Sequence, residues 1–470
     1  ATSTSFVRET LLKNNRNVPF LRQGDIAKKY KNMKRRNFLR NTGATALSLA
    51  FLKSAFAKEF GPQAAGLLDY DQMIGDATGK VVVVGGGMAG TTIAKYLRLW
   101  GGTGLQVTLV EPNATYYSNI FSNMVLTGER TLSQLSYNYQ TLITKYGVKV
   151  ENLSVTAIIP SSKKVRLSNG TVLYYDRLVL APGIDFEALP MVGTTANKNK
   201  IVHAWKAGSQ TTSLQNQINS MTNKDTFILT IPPKPYRCPP GPYERACVVA
   251  DYLKRVKGGG RVVVLDANNG IQAELENFTR AFNITHQGII TYVPNAIISS
   301  IDANTKTVVT NAGTFSGKVL NAIPTHKAGK LITNSGIGLA NAGNGKWAGV
   351  NVLTYESTAV PFIHIIGDAS ATTQPKAGHI ANAEAKVCAD AIVHLLKGEP
   401  VNQKPVTNSS CFTPITKTTA SWLSVVYKYD PVSKTMVPTG NGVTESKGAN
   451  SENFEDMEKW FTNLMSDTFK

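Results

Sequence analysis

Four consecutive valines, Val81–Val84, run into the glycine-rich turn Gly85–Gly90. Behind the turn, apolar residues return at helical spacing at Ile93, Leu97 and Trp100. An unbroken apolar run of this length predicts a strand covered on both faces, and the three-to-four spacing predicts an amphipathic helix. Gln106–Val110 reads as the next strand, so the segment is strand–turn–helix–strand. The same order recurs downstream, with strands at Thr226–Ile231 and Arg261–Asp266 and a helix over Tyr243–Val256 between them. Two further strands, Leu178–Ala181 and Phe362–Ile366, each run into a glycine turn, Pro182-Gly183 and Gly367-Asp368. Strands alternating with helices in this way build parallel sheets.

The first turn carries the spacing G-x-G-x-x-G at Gly85, Gly87 and Gly90. Missing side chains there permit a tight turn, approach of a pyrophosphate to the backbone, and close helix–strand contact. The N-terminus of the following helix then faces the phosphates. Glu111 ends the second strand, where a carboxylate accepts from ribose hydroxyls. Pro182, Gly183 and Asp368 extend the candidate cofactor-binding set: in flavoproteins with two dinucleotide domains, such a Gly-Asp lies at the flavin end. The separation of Gly85 from Asp368 fits an FAD domain interrupted by an insertion. The fold class expected is α/β, with two Rossmann-like dinucleotide-binding-type domains and a small C-terminal α+β domain.

The second strand–turn–helix unit departs from the first at its turn. Residues 232–242 hold six prolines in eleven residues. Proline has no N–H to offer a phosphate, so no nicotinamide site is expected here and electrons must enter another way. Cys238 lies in this loop just before a helix, flanked by Arg237 and Arg245. The helix dipole and the cations both favour a thiolate, which gives Cys238 a redox role. Its partner must come from elsewhere in the chain. Cys247 and Cys388 sit in apolar helical stretches and read as core cysteines; Cys411, after a polar linker, is the better candidate.

Charge changes the picture mainly at one end. Lys and Arg exceed Asp and Glu by 50 to 31, a net of +19. Residues 1–57 alone hold twelve basic and two acidic side chains. The basic run Lys34–Arg40 with its paired arginines, the apolar stretch Ala44–Leu52 and the A-x-A site Ala55–Ala57 resemble a twin-arginine export signal. Export to the periplasm is the expectation, with Met33 as an alternative start. No later stretch interleaves basic and aromatic residues, so nucleic acid is excluded as a partner. No apolar run reaches the ~18 residues of a membrane span. With four cysteines and no C-x-x-C, no metal site is expected.

Together these stretches resemble the flavoprotein subunit of flavocytochrome c sulfide dehydrogenase. The resemblance rests on Val81–Gly90, Leu109–Tyr117, Ala181–Gly183, His203–Gly208, Arg237–Arg245 (RCPPGPYER), Ile366–Ala369, Pro375–Gly378, Cys411 and Asp467–Phe469. It implies FAD, a redox disulfide above the flavin, sulfide as substrate, and a c-type cytochrome subunit as electron acceptor. By the same resemblance Cys238 and Cys411 form the disulfide, Glu244 is the acid/base, Lys376 lies near the flavin pyrimidine, and Trp460 stands near the electron-exit path. The family's flavin-linking cysteine after Tyr116-Tyr117 is missing: Ser118-Asn119 stand there, so the FAD is expected to be non-covalent. His379 replaces a usual aromatic.

The domains expected are an export leader (1–57), a linker (58–79), an FAD-binding domain in two parts (80–190 and 318–400), a second nucleotide-domain-like module without a phosphate cradle (191–317), and a C-terminal interface domain (401–470). Two rival functions are a sulfide:quinone oxidoreductase and an accessory redox or sulfur-binding protein of a thiosulfate-oxidising complex. Under the first rival, the apolar face Phe454, Met457, Phe461, Leu464, Met465 and Thr468 lies on a membrane; otherwise it packs on the protein body.

Overall fold

The computed structural model describes residues 75–193, 199–440 and 442–470. The expected leader and most of the linker lie outside the described residues. β1 (Gly79–Val84), α1 (Met88–Gly101) and β2 (Leu105–Val110) form the first unit, with β1 parallel to β2 from Gly79 opposite Leu105 to Val84 opposite Val110. β3 (Lys149–Glu151) extends the sheet beyond β2, and β4 (Arg177–Leu180) pairs with the other edge of β1. The valine run is explained by both faces being covered. Val81 and Val83 join the core under α1, while Val82 and Val84 join a second core shared with the downstream module.

That module consists of β5 (Thr226–Ile231), α2 (Gly241–Tyr252), β6 (Arg261–Asp266), α3 (Leu275–Arg280), β7 (Ile290–Val293) and β8 (Val319–Ala322). Its sheet is parallel, in the order β7-β6-β5-β8. α2 continues through a π-turn at Leu253–Lys257. β8 lies past the expected boundary at 317, because the last strand of the inserted sheet is reached only after a small antiparallel excursion at Ile298–Ser316.

The chain then returns to the first sheet. β9 (Ile363–Ile365) pairs in parallel with β4, completing the core order β9-β4-β1-β2-β3. α4 (Gly378–Lys397) packs along α1. A mixed C-terminal domain follows: an antiparallel sheet of β10 (Val406–Pro414), β11 (Ala420–Asp430) and β12 (Thr435–Pro438), then α5 (Ser451–Phe469). α5 starts cleanly, with the Asn450 side chain accepting from the Asn453 N–H at 2.7 Å. Its apolar face is covered by the body: Met457, Phe461, Leu464, Met465 and Phe469 are buried in the core that contains α1 and β1. Among the described residues no helix is long and apolar enough to cross a membrane.

Candidate active site

A cavity of about 620 Å³ runs from the glycine turn to the proline-rich loop. Of the residues singled out in the sequence, Gly85, Gly87, Glu111, Pro182, Gly183, Cys238, Glu244, Asp368 and Cys411 line it. Gly90 and Lys376 do not.

At the glycine end the backbone is tight at Gly85 and Gly90 and open at Gly87. A Cβ on Gly85 would stand 2.4 Å from the Ala181 carbonyl, and one on Gly90 would stand 1.7 Å from the Gly85 carbonyl. Gly90 therefore serves helix–strand contact without reaching the cavity. A Cβ on Gly87 would meet only Tyr116, at 3.9 Å, so this residue leaves its side of the cradle clear. Gly87 caps α1 without a side-chain bond, which leaves the first N–H groups of the helix free toward the cavity. Glu111 has more to do than was expected. Its Oε2 accepts from the Gly86 N–H at 2.8 Å and its Oε1 from the Asn113 N–H and Nδ2, so the carboxylate also holds the turn in place. Asp368 Oδ1 is buried with no hydrogen-bond partner, and burial raises its carboxyl above the usual range against the pull of Arg237 and Lys376. A buried orphan acceptor beside a side-chain-free cradle fits a dinucleotide with hydroxyls to donate. The residues present fit FAD, which Gly85–Ala89, Glu111, Pro182, Gly183 and Asp368 would hold.

At the other end Cys238 adopts a left-handed backbone (φ 58°). Its N–H donates to the Lys376 carbonyl at 2.7 Å, and its carbonyl accepts from the Gly241 N–H. A Cβ on Gly241 would stand 2.9 Å from Cys238 Sγ, so the first residue of α2 is glycine to make room for the sulfur. Cys411, on β10, lines the same cavity. Both are free thiols here, as are Cys247 and Cys388, so the expected Cys238–Cys411 disulfide is not formed in this structure. Nor is a thiolate favoured at Cys238. Burial, reinforced by Glu244, pushes its thiol up to about 12, and Arg237 only partly offsets that. Desolvation outweighs the helix dipole. Cys247 and Cys388 are fully buried in α2 and α4, away from the cavity.

Arg245 is not a free cation beside the sulfur. It is buried, and its guanidinium donates to Asn123 Oδ1, Asn321 Oδ1 and the carbonyls of His203 and Ala204, all within 2.8 Å, while stacking on Trp205. Asn123 is the residue that links this hub to the chemistry, because its Nδ2 donates to Glu244 Oε1 at 2.8 Å. Glu244 is buried, and burial pushes its carboxyl up to about 8 against that hydrogen bond. Nothing in the local sequence marked Asn123, which comes from a short helix at Ser122–Leu126.

Lys376 is held beside Asp368 rather than in the wall of the main cavity. Its ammonium donates to the carbonyls of Asp368 and Ser370 at 2.9 and 2.8 Å and lies over the Trp347 ring, lining a separate cavity behind the loop. Only its backbone serves the Cys238 turn. Trp460 does line the main cavity, with its Nε1 donating to His379 Nδ1 at 3.3 Å and its ring 5.5 Å from Phe412. Asp266, the acid that ends β6 as Glu111 ends β2, is fully buried and consumed. Its Oδ2 accepts from Tyr243 and Tyr292 at 2.7 and 2.8 Å and its Oδ1 from Asn268.

Residues 79–222 match the pyridine nucleotide-disulphide oxidoreductase family, and residues 211–324 match the central domain of the sulfide dehydrogenase [flavocytochrome c] flavoprotein chain. That flavoprotein chain from Chlorobaculum thiosulfatiphilum is 50% identical over 48 residues, which are 10% of this chain and 98% of the relative. The mitochondrial sulfide:quinone oxidoreductase of Dictyostelium discoideum is 22% identical over 363 residues, 74% of this chain and 78% of the relative. Ferroptosis suppressor protein 1 of Taeniopygia guttata is 32% identical over 112 residues, and the match spans only 28% of its length. Among solved structures, the sulfide:quinone oxidoreductase of Aquifex aeolicus superposes with a TM-score of 0.65 at 18% identity, covering 83% of this chain and 91% of that one. Putidaredoxin reductase, in its covalent complex with putidaredoxin, gives 0.60 at 16% identity, covering 81% and 93%.

Proposed function

This chain belongs to the FAD-binding pyridine nucleotide-disulfide oxidoreductase-like family, among its sulfide-oxidising flavoproteins, and from that premise we propose that it is a sulfide dehydrogenase that passes electrons to a c-type cytochrome. The observation that carries the reading is the convergence of Cys238 and Cys411, from distant segments, on the cavity that also holds the glycine cradle and the orphan Asp368. In the oxidised protein these cysteines are paired. HS⁻ attacks Cys411 Sγ, the Cys238–Cys411 bond breaks, and a Cys411 persulfide and a Cys238 thiolate result. Glu244, neutral at pH 7, carries its proton on the oxygen that Asn123 leaves free. In this reading that proton is available to the Cys238 thiolate, which burial disfavours, in the cavity that both residues line. FAD supplies the acceptor for the electron pair and can release electrons singly. A second sulfide then removes the outer sulfur as polysulfide or zero-valent sulfur.

The burial of Met457, Phe461, Leu464, Met465 and Phe469 supports a cytochrome over a membrane quinone as acceptor, since most of the apolar face of α5 is spent on the protein body. Export to the periplasm by the twin-arginine-type leader is part of the same proposal. The test is anaerobic mixing of the holoprotein with sulfide. Cys238→Ser and Cys411→Ser should each abolish bleaching of the flavin band while FAD stays bound, and Cys388→Ser should stay within a few-fold of wild type. Wild-type rates in Cys411→Ser would refute the pairing. Turnover with a soluble quinone but not with c-type cytochrome would refute the acceptor.

A further inference from the structure

A second buried carboxylate, Glu274, acts on Cys411 and has no part in the steps above. It immediately precedes α3, in a left-handed backbone conformation (φ 51°) that a residue with a Cβ adopts at a cost. It is 4% exposed. Its Oε1 accepts from the Thr413 hydroxyl at 2.7 Å, its Oε2 accepts from the Ser421 hydroxyl, and those two hydroxyls are 2.9 Å from each other. Thr413 lines the main cavity and lies two residues beyond Cys411 on β10, so the two side chains share one face of the strand.

This three-membered ring satisfies either protonation state without moving a heavy atom. When Glu274 is ionised, both hydroxyl protons point to the carboxylate. When it is protonated, its O–H turns to Thr413, Thr413 donates to Ser421, and Ser421 donates to the other carboxyl oxygen. An ordinary buried ion pair or cap lacks that symmetry. Burial, helped by Glu445, raises the Glu274 carboxyl to about 7, whereas Glu244 stands at about 8. Burial thus brings both carboxyls into the neutral range, and the hydroxyl ring around Glu274 lets it take up or give back a proton. The ionisable groups that face Glu274 are Glu445 on the strand Thr444–Glu445, Glu244 and Cys247 on α2, and Cys411 on β10. Among the described residues no basic side chain is prominent among the charges acting on Glu274.

We propose that Glu274 is a positioning residue for the reaction proton: acting through the Thr413 hydroxyl, it takes up the proton of the persulfide formed on Cys411. The Cys411–S–SH sulfur–hydrogen bond breaks heterolytically. Thr413 passes its own proton to Glu274 Oε1 and receives the one from sulfur, leaving Cys411–S–S⁻ and a neutral Glu274. No electrons change hands in this step. The inference rests on the sulfide reading given above.

The test combines two readouts. The first is the pH dependence of sulfide-driven flavin reduction in wild type, Glu274→Gln and Thr413→Val holoprotein, with rates compared at fixed HS⁻ concentration so that protonation of sulfide itself drops out. The second is the infrared carbonyl band of protonated carboxyl groups, followed from pH 6 to 8 without sulfide. Wild type should lose rate as Glu274 becomes protonated below about pH 7. Both variants should lose that limb, and Glu274→Gln should be slower by about 10²-fold, the low end for proton-transfer help. Glu244 and Glu384 also titrate near this range and are common to all three proteins, so the wild-type-minus-variant difference should show a carboxyl component that is missing from Glu274→Gln and present in Thr413→Val. Thr413→Val, nearly isosteric, carries the test should the Gln variant fold poorly. An unchanged pH profile in Thr413→Val, or no carboxyl titrating in this range, overturns the inference while leaving the sulfide reading intact. A wild-type flavin that sulfide does not reduce overturns both.

Discussion

Glu244→Gln should make the protein more stable, and increasingly so as the pH rises. The carboxyl of Glu244 has an ordinary value of 4.5 and is raised to about 8 by burial in the folded protein. Below pH 4.5 both folded and unfolded states hold the proton, and the residue is neutral in the comparison. Between about 4.5 and 8 the unfolded chain ionises while the folded one resists, so stability falls with pH across that window and levels off above it. At roughly 1.4 kcal/mol per pH unit, the loss comes to about 3 kcal/mol at pH 7 and about 5 kcal/mol above pH 8. Glutamine keeps the acceptor that takes the Asn123 Nδ2 hydrogen bond and cannot ionise. The measurement is urea unfolding of the holoprotein at pH 5, 7 and 9. The variant and wild type should nearly coincide at pH 5 and separate by several kcal/mol at pH 9. Glu384, also raised to about 8 by burial, is common to both proteins and cancels in the difference. Parallel curves, with a constant gap at all three pH values, would show that Glu244 is ionised in the folded protein and would remove its role as a proton source.

Two further outcomes concern cofactors. NADH and NADPH should leave the flavin oxidised, because the turn after β5 offers prolines in place of N–H groups and Asp266 is spent on Tyr243, Tyr292 and Asn268; rapid bleaching by stoichiometric NADH would contradict this. Acid precipitation should release intact FAD into the supernatant, because the cavity segment Tyr116–Phe121 has no thiol and Cys247 and Cys388 are sealed in helices; a polypeptide mass carrying flavin would refute it.

The parts of the fold that could be read in advance are those specified by neighbours in sequence. β1, α1 and β2 follow from a doubly buried valine run, a helical apolar spacing and glycines whose Cβ positions are already filled by backbone. The same local logic placed Glu111 at the end of its strand and Asp368 after β9. It could not show that Glu111 also ties down Gly86, or that the corresponding Asp266 is consumed by two tyrosines, since those partners come from other elements. The direction of the Lys376 side chain is not legible for a related reason: a short motif fixes where a backbone turn goes, but Trp347 and two carbonyls decide where the ammonium points. Charge near Cys238 was visible and its desolvation was not, so the sequence argued for a thiolate where burial favours a thiol. Asn123 and Glu274 carry no motif at all. They matter only because folding brings Ser122–Leu126 and the segment before α3 against α2 and β10.

The end of α5 has a consequence for biosynthesis. Phe469 stacks on Tyr116 and Tyr137 at 5.1 and 5.0 Å, and Asp467 accepts from Asn382 at 2.8 Å and pairs with Lys386. Tyr116 is a wall of the dinucleotide cavity, and Thr92 and Lys95, which reach Thr468 and Asp467, belong to the helix that opens the cradle. The first βαβ unit to leave the ribosome therefore waits for residues synthesised more than 370 positions later before its wall is braced. Contacts of such sequence separation form late. A nascent chain can fold its second sheet early, but tight retention of FAD has to follow completion of α5. Cofactor loading thus reports on synthesis through residue 469, and a chain stalled before α5 would present an apolar, unfinished cavity to chaperones rather than a weakly active enzyme.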